Sequence, residues 1–255
     1  MKTKLSVNLN KIALIRNARD DGNPSPVEFG EIALMAGAAG LTVHPRPDQR
    51  HIRATDVAPL SELVKLYAGK EYNIEGNPFH NLMDHVLTVR PDQATFVPDG
   101  EGQKTSDHGF DLDRDGERLL PLIKAAKQAG VRVSLFMDPV AVNMAKAKAL
   151  GADRVELYTE GYAKAFGTEA ETEMLAMYAD AAHAAHEAGL GVNAGHDLNL
   201  ENLESLLLAC RYIDEVSIGH ALTAEALRYG MAETIRRYVE IIDRVAKIQA
   251  EELGE

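Results

Sequence analysis

The chain holds one cysteine, Cys210, so no intrachain disulfide, CxxC motif or cysteine-based metal cluster can form. Lying in the apolar run LESLLLAC, that thiol reads as a packed core residue. Also missing is any uninterrupted apolar run close to the roughly 20 residues that cross a bilayer. The start, MKTKLSVNLNK, lacks the apolar core of a signal peptide, and the expectation is a cytoplasmic protein with no membrane partner. Positive charge is scarce: 27 Lys and Arg stand against 39 Asp and Glu, a formal net charge of -12. Nucleic-acid binding needs a basic stripe to displace phosphate counterions and is thereby disfavoured. An anionic substrate would have to be held by local Arg or Lys side chains or by helix N-termini. Hydrophobic residues at 45% and charged residues at 26% are ordinary for a folded globular protein.

What is present is an alternation of two patterns. Short apolar, β-branched segments occur at Leu5–Asn8, Leu41–His44, Tyr72–Glu75, Ala94–Val97, Val131–Phe136, Val155–Tyr158, Leu190–Asn193 and Val216–Gly219. Helix-patterned stretches lie between them: Pro26–Ala38, Leu60–Tyr67, Pro78–Val89, Arg114–Ala129, Pro139–Leu150, Thr168–Ala188, Leu200–Cys210 and a long run from Thr223. Such alternation indicates βα units on a parallel sheet. The joints AGAAGLTV, KQAGVRVSL, KALGADRVEL and HEAGLGVNAG place Gly just past a helix, where the left-handed conformation suits it. Eight units match the closed (β/α)8 TIM barrel better than a doubly wound sheet, whose G-x-G-x-x-G turn does not follow the first strand here. The expected class is therefore α/β, with one barrel domain spanning residues 1–255. The polar stretch PDGEGQKTSDHGFDLDRDG gives a long loop at about 98–113, either merely solvated or an active-site lid.

In a barrel the active site forms at the carboxyl ends of the strands. Those positions hold Asn8, Asn10, His44, Arg46, Glu75, Glu156, Gly195, His196, Asp197, Gly219 and His220. Three histidines with Glu75 and Glu156 at one mouth suit proton transfer at carbon, because imidazole titrates near neutrality and a desolvated carboxylate rises toward it. That chemistry needs no metal and no bound cofactor, and strand one ends without the paired histidines of a metal-dependent barrel hydrolase. Two regions suit phosphate. The segments NAGHDLNLENL, with a helix expected from near Asn199, and IGHALTAEAL put Gly and helix N-termini after strands seven and eight. Lys11, Arg16 and Arg19 follow strand one, and Arg46, Arg50 and His51 follow strand two, as either an anion site or a solvated basic loop. His80, His85, His183 and His186 lie on helix faces and read as structural or solvated; His108 is undecided. These residues alone support a phosphate-binding isomerase, epimerase or lyase, with a non-catalytic carrier of a phosphorylated metabolite as the alternative of another class.

The runs VNLNKIALIRNAR, GLTVHPRPDQRHI, YNIEG, FVPDGEGQKTSDHG, VSLFMDP, VELYTEGYA, VNAGHDLN and IGHAL resemble, in this order and over almost the whole chain, the pyridoxine 5′-phosphate synthase family. The resemblance implies a ring-forming condensation of 1-deoxy-D-xylulose 5-phosphate with 3-amino-2-oxopropyl phosphate. It implies Glu75 and His44 as bases and His196 as the acid. Asn8, Arg19, Asp197, Gly219 and His220 would hold the amino-ketone phosphate, and Asn10, Lys11, Arg46, His51 and Thr105 the pentulose phosphate. It also implies an octamer of barrels. Glu156 is a further candidate from its position. The chain departs from the family pattern at Asn10 and Lys11, where many members have Asp-His, and at Asp197, where many have Gly. The second departure sets a carboxylate beside a phosphate site, unless Asp197 caps the following helix and offers only its backbone N–H.

Overall fold

The computed structural model describes residues 2–100, 103 and 106–254. Eight parallel strands close into a barrel in which each strand pairs with its sequence neighbour and the last pairs with the first. They are β1 (Lys4–Asn8), β2 (Gly40–Val43), β3 (Glu71–Gly76), β4 (Gln93–Phe96), β5 (Arg132–Met137), β6 (Arg154–Tyr158), β7 (Gly191–Gly195) and β8 (Ile213–Ile218). Around them run α1 (Asn10–Arg16), α2 (Pro26–Met35), α3 (Ala54–Lys65), α4 (Leu82–Val89), α5 (Leu112–Gln128), α6 (Met144–Ala149), α7 (Glu160–Ala165), α8 (Glu171–Glu187), α9 (Leu203–Ala209), α10 (His220–Tyr229) and α11 (Met231–Leu253). The TIM barrel read from the sequence is the fold.

Period-two alternation sends half of each strand toward the helices and half toward the barrel axis. Val7, Leu41, Val43, Ile74, Leu135, Val155 and Leu157 are fully buried in the core under the helices. The inward residues between them are polar. Ser6 Oγ lies 2.7 Å from Thr42 Oγ1, Asn73 Nδ2 donates to Thr42 Oγ1 at 3.4 Å, and Thr95 Oγ1 donates to Asn73 Oδ1 at 3.1 Å. Ser6, Thr42, Asn73 and Thr95 thus form a linked polar chain inside the barrel, while Ser134 Oγ and Asn193 Nδ2 have no hydrogen-bond partner among the described residues. The amino end is closed by charge: Lys4 Nζ lies 3.0 Å from Glu71, Arg132 Nε donates to Gln93 at 2.9 Å, and Arg154 donates to Asn193 at 2.7 Å. Only the carboxyl end is left for a site.

Local capping explains where the elements depart from expectation. Helix α1 was not anticipated; it starts directly after β1 because Asn8 Oδ1 accepts the Asn10 N–H at 3.0 Å, a turn that launches the helix. Helix α3 begins at Ala54 rather than Leu60, since Asp56 Oδ2 accepts the Arg53 N–H at 2.8 Å and builds the first turn upstream of Pro59. Helix α9 begins at Leu203, not near Asn199, whose Oδ1 instead takes the N–H groups of Glu201 and Asn202 at 2.8 and 2.9 Å in a turn. The run from Thr223 is two helices, divided at Gly230, whose φ of +81° ends α10. No helix among the described residues is long and apolar enough to cross a membrane.

Candidate active site

A cavity of about 440 Å³ opens at the carboxyl end of the barrel. Its floor is Asn8, His44, Glu75, Glu156 and Ser217; one wall is basic, with Lys11, Arg46, Arg50 and His51; the facing wall carries His196, Asp197, Gly219 and His220. Asn10 lies between the first two groups, and Val97 and Phe136 supply an apolar side. Nearly every candidate read from strand ends is therefore in one place. Arg19 is not: it is exposed on the turn after α1 and does not line the cavity. Thr105 lies outside the described residues.

The floor residues differ in charge state. Glu75 accepts a hydrogen bond from Asn8 Nδ2 at 3.4 Å and lies 3.9 Å from His44 Nδ1. Burial pushes its carboxyl up to about 7, against the pull of His196 and with the help of Asp99 and Glu215. His44 goes the other way. Burial, then Arg46, His51, Arg50 and His196, hold it well below the ordinary imidazole value, so it is neutral at pH 7. Glu156 is raised well above the carboxylate range by burial and by the charges of Glu75 and Glu215, and its Oε2 has no hydrogen-bond partner among the described residues.

His196 is the floor's counterpart on the far wall. Its φ is +81°, unusual for a residue with a side chain. Gly195 just before it leaves no room for one: a Cβ there would stand 2.5 Å from the Ser217 carbonyl oxygen and 3.2 Å from Glu156 Oε1. The ring packs edge-on against Tyr158 with centroids 5.7 Å apart, and Nδ1 lies 2.6 Å from Asp197 Oδ2. Burial lowers the pKa of His196, but the hydrogen bond and charge of Asp197, with Glu75 and Asp99 behind, outweigh it and leave a net rise. The Asp197 carboxylate therefore faces His196 and does not cap α9, which begins at Leu203. Next to it, Gly219 is the N-cap of α10, whose first-turn N–H groups are a ready anion site.

On the basic wall, His51 Nδ1 accepts the Ile52 N–H at 2.9 Å, which leaves Nε2 as the protonated nitrogen. Burial, then Arg46, Arg50 and Lys11, hold its pKa at about 4, so His51 is a neutral donor. Arg46 and Arg50 donate to the Gln103 carbonyl at 3.2 and 2.9 Å, and Arg46 also pairs with Asp99. Asn10 Oδ1 accepts the His44 N–H at 2.9 Å. An aspartate offers the same acceptor, so the departure at Asn10 leaves this tie intact. Asp99, Ser106 and Ser217 are the site residues that strand-end reading passed over. Asp99 stands three residues past β4, as Arg46 stands three past β2, and the same rule reaches it.

Comparison with known proteins identifies the family. A family model described as "Pyridoxal phosphate biosynthesis protein PdxJ" matches residues 5–244. The pyridoxine 5'-phosphate synthase of Albidiferax ferrireducens is 55% identical over 247 residues, covering 95% of this chain and 98% of its own. That of Xanthomonas campestris pv. campestris is 53% identical over 249 residues, covering 95% and 97%. Among solved structures, tryptophan synthase from M. tuberculosis aligns with a TM-score of 0.64 at 11% identity, over 96% of this chain and 92% of that one. KGPDC from Streptococcus mutans aligns with a TM-score of 0.60 at 12% identity, over 96% and 99%. These two likenesses concern the fold alone.

Proposed function

Because the chain belongs to the PdxJ family of pyridoxal phosphate biosynthesis proteins, we propose that it condenses 1-deoxy-D-xylulose 5-phosphate with 3-amino-2-oxopropyl phosphate to pyridoxine 5′-phosphate, with loss of inorganic phosphate and water. The observation that carries this is the presence, in one cavity, of three groups poised differently: neutral His44, Glu75 at about 7 and a His196 raised above its ordinary value. Imine formation, enolisation and dehydration each need a base and an acid within reach, and each such group contributes about 10²–10⁴-fold in rate. His44 and Glu75 take protons from the amine nitrogen and from carbon. His196 returns them to oxygens that leave as water or phosphate. Glu156, on the floor with its carboxyl raised well above the ordinary value, offers an O–H donor to charge that develops there when it holds its proton.

The two phosphates go to opposite walls. Lys11, Arg46 and His51, with Asn10 at the edge and, by the family resemblance, Thr105, hold the pentulose phosphate. The α10 N-terminus with Gly219 and His220, and Asn8 beside it, hold the amino-ketone phosphate. Asp197 serves there by fixing His196, and Arg19 has no part in the cavity of its own barrel. The loop between β4 and α5 serves as the lid, and its Asp99 and Gln103 are tied to the basic wall. The proposal includes a metal-free and cofactor-free reaction, a cytoplasmic location and a homo-octamer, which the nearly bare Leu66 and Leu227, both 80% exposed, supply with apolar surface. The test is two-substrate dependence: purified protein forms a pyridinol product only when both phosphates are supplied. Turnover of either phosphate alone would point to the isomerase class instead.

A further inference from the structure

Asp99, on the loop after β4, is 5% exposed and held from three directions. Its carbonyl oxygen accepts the Asn77 amide at 2.8 Å, its carboxylate pairs with the Arg46 guanidinium, and the Ser106 hydroxyl supports the same carboxylate from the far side of the loop. The same Oδ2 lies 3.6 Å from His44 Nε2, while Glu75 Oε2 lies 3.9 Å from His44 Nδ1. The imidazole thus stands between two carboxylates of different character. Burial raises Asp99 on balance, with Arg46 at contact distance offsetting part of the rise, whereas Arg46 acts on Glu75 only through space and Glu75 is pushed up to about 7. A second cavity of about 310 Å³, lined in part by Asn77, His80, Asn81 and Asp99, adjoins the main one, and His44 and Arg46 line both.

A neutral imidazole carries one proton, and a fixed anionic acceptor on one side decides which nitrogen keeps it. We propose that Asp99, paired with Arg46, is a positioning residue that holds His44 in the Nε2–H tautomer and leaves Nδ1 as the basic atom turned toward Glu75 and the cavity. This rests on His44 acting as a base in the proposed reaction. Neither the family resemblance nor the names of the relatives assigns Asp99 a part. Without it, the ring proton distributes between the two nitrogens, and every molecule with Nδ1–H has lost its base.

The experiment combines ¹⁵N-histidine NMR of the whole unliganded protein with steady-state kinetics of Asp99→Asn, Asp99→Glu and His44→Gln. Wild-type His44 should show a protonated Nε2 and an unprotonated Nδ1. In Asp99→Asn this pattern should give way to the other tautomer or a mixture. Its kcat should fall on the order of ten- to a hundredfold with the Michaelis constant for the amino-ketone phosphate unchanged, while any rise for the pentulose phosphate reports the freed Arg46. Asp99→Glu should restore both readouts in large part. A wild-type His44 protonated at Nδ1 overturns the proposal, and this readout stands even if Asp99→Asn does not fold. Wild-type tautomer and kcat in a folded Asp99→Asn also overturn it. The His44→Gln arm separates the two readings. Full turnover there removes His44 as a base, whereas lost turnover there with unchanged kcat in Asp99→Asn removes Asp99 alone.

Discussion

His196 Nδ1 lies 2.6 Å from the carboxylate of Asp197, its neighbour in the chain, across a backbone that turns through φ +81° at His196. A non-glycine residue in that conformation costs about 1–3 kcal/mol, which the surrounding packing must supply. What the turn achieves is to bring a carboxylate and an imidazole that would otherwise diverge onto one side, where the anion favours the imidazolium.

Asp197→Asn should therefore lower the pKa of His196, since it removes the charge and hydrogen bond that outweigh burial. If protonated His196 is the acid, the alkaline limb of the kcat profile moves to lower pH, and activity at pH 8 falls more than activity at pH 6. An NMR titration of the His196 ring beside the kinetic profile checks the sign. An unchanged limb would remove Asp197 from this role.

Glu75→Gln should lower kcat by about two or more orders of magnitude, and it should also change how stability depends on pH. The folded-state pKa of about 7 stands above the ordinary 4.5, so the folded protein holds the extra proton between these values. Wild-type stability should then fall by roughly 3 kcal/mol as pH rises through that window. Glutamine has no charge to bury, so Glu75→Gln gains on wild type at pH 8 relative to pH 5 in urea unfolding. Parallel curves for the two proteins would show that Glu75 titrates in the ordinary range.

Gly219→Ala tests the packing between the α10 N-terminus and β1. The added Cβ would stand 2.9 Å from Asn8 Cβ and 3.1 Å from its Oδ1. Asn8 must then move, releasing both Glu75 and the Asn10 N–H. The expected result is roughly a tenfold or larger loss of kcat/KM with about 1–3 kcal/mol of destabilisation. Calorimetry and kinetics on the same preparation check it.

Lys11→Met should raise the Michaelis constant for the pentulose phosphate far more than that for the amino-ketone phosphate, because only one of the two anion walls loses a charge. Loss of uniform binding leaves kcat nearly unchanged. Equal effects on both substrates would place Lys11 outside the pentulose wall.

The barrel was legible because each βα unit announces itself locally, through a β-branched run and a Gly past the helix. His44, Glu75 and His196 were legible because the strand-end rule converts position in sequence into position at the mouth. Asp99 lies within reach of the same rule, three residues past β4, but what it does rests on contacts with Arg46 and His44, more than 50 residues away, which nothing local to its loop records. Asp197 lines the cavity and does not cap α9, and its tie to the adjacent His196 is hidden in the sequence because only the left-handed backbone at His196 brings the two side chains together. Helices α1 and α9 start where asparagine side chains choose between turn and helix, a choice made by hydrogen bonds that periodicity does not record.

The most direct measurement of the whole account is the ratio of inorganic phosphate released to pyridinol formed, with both phosphorylated substrates and protein dialysed against EDTA. The account predicts one phosphate per pyridinol, no phosphate when either substrate is omitted, and no loss of rate after chelation. Consumption of one substrate without phosphate release, or activity that returns only with added zinc or magnesium, would contradict it.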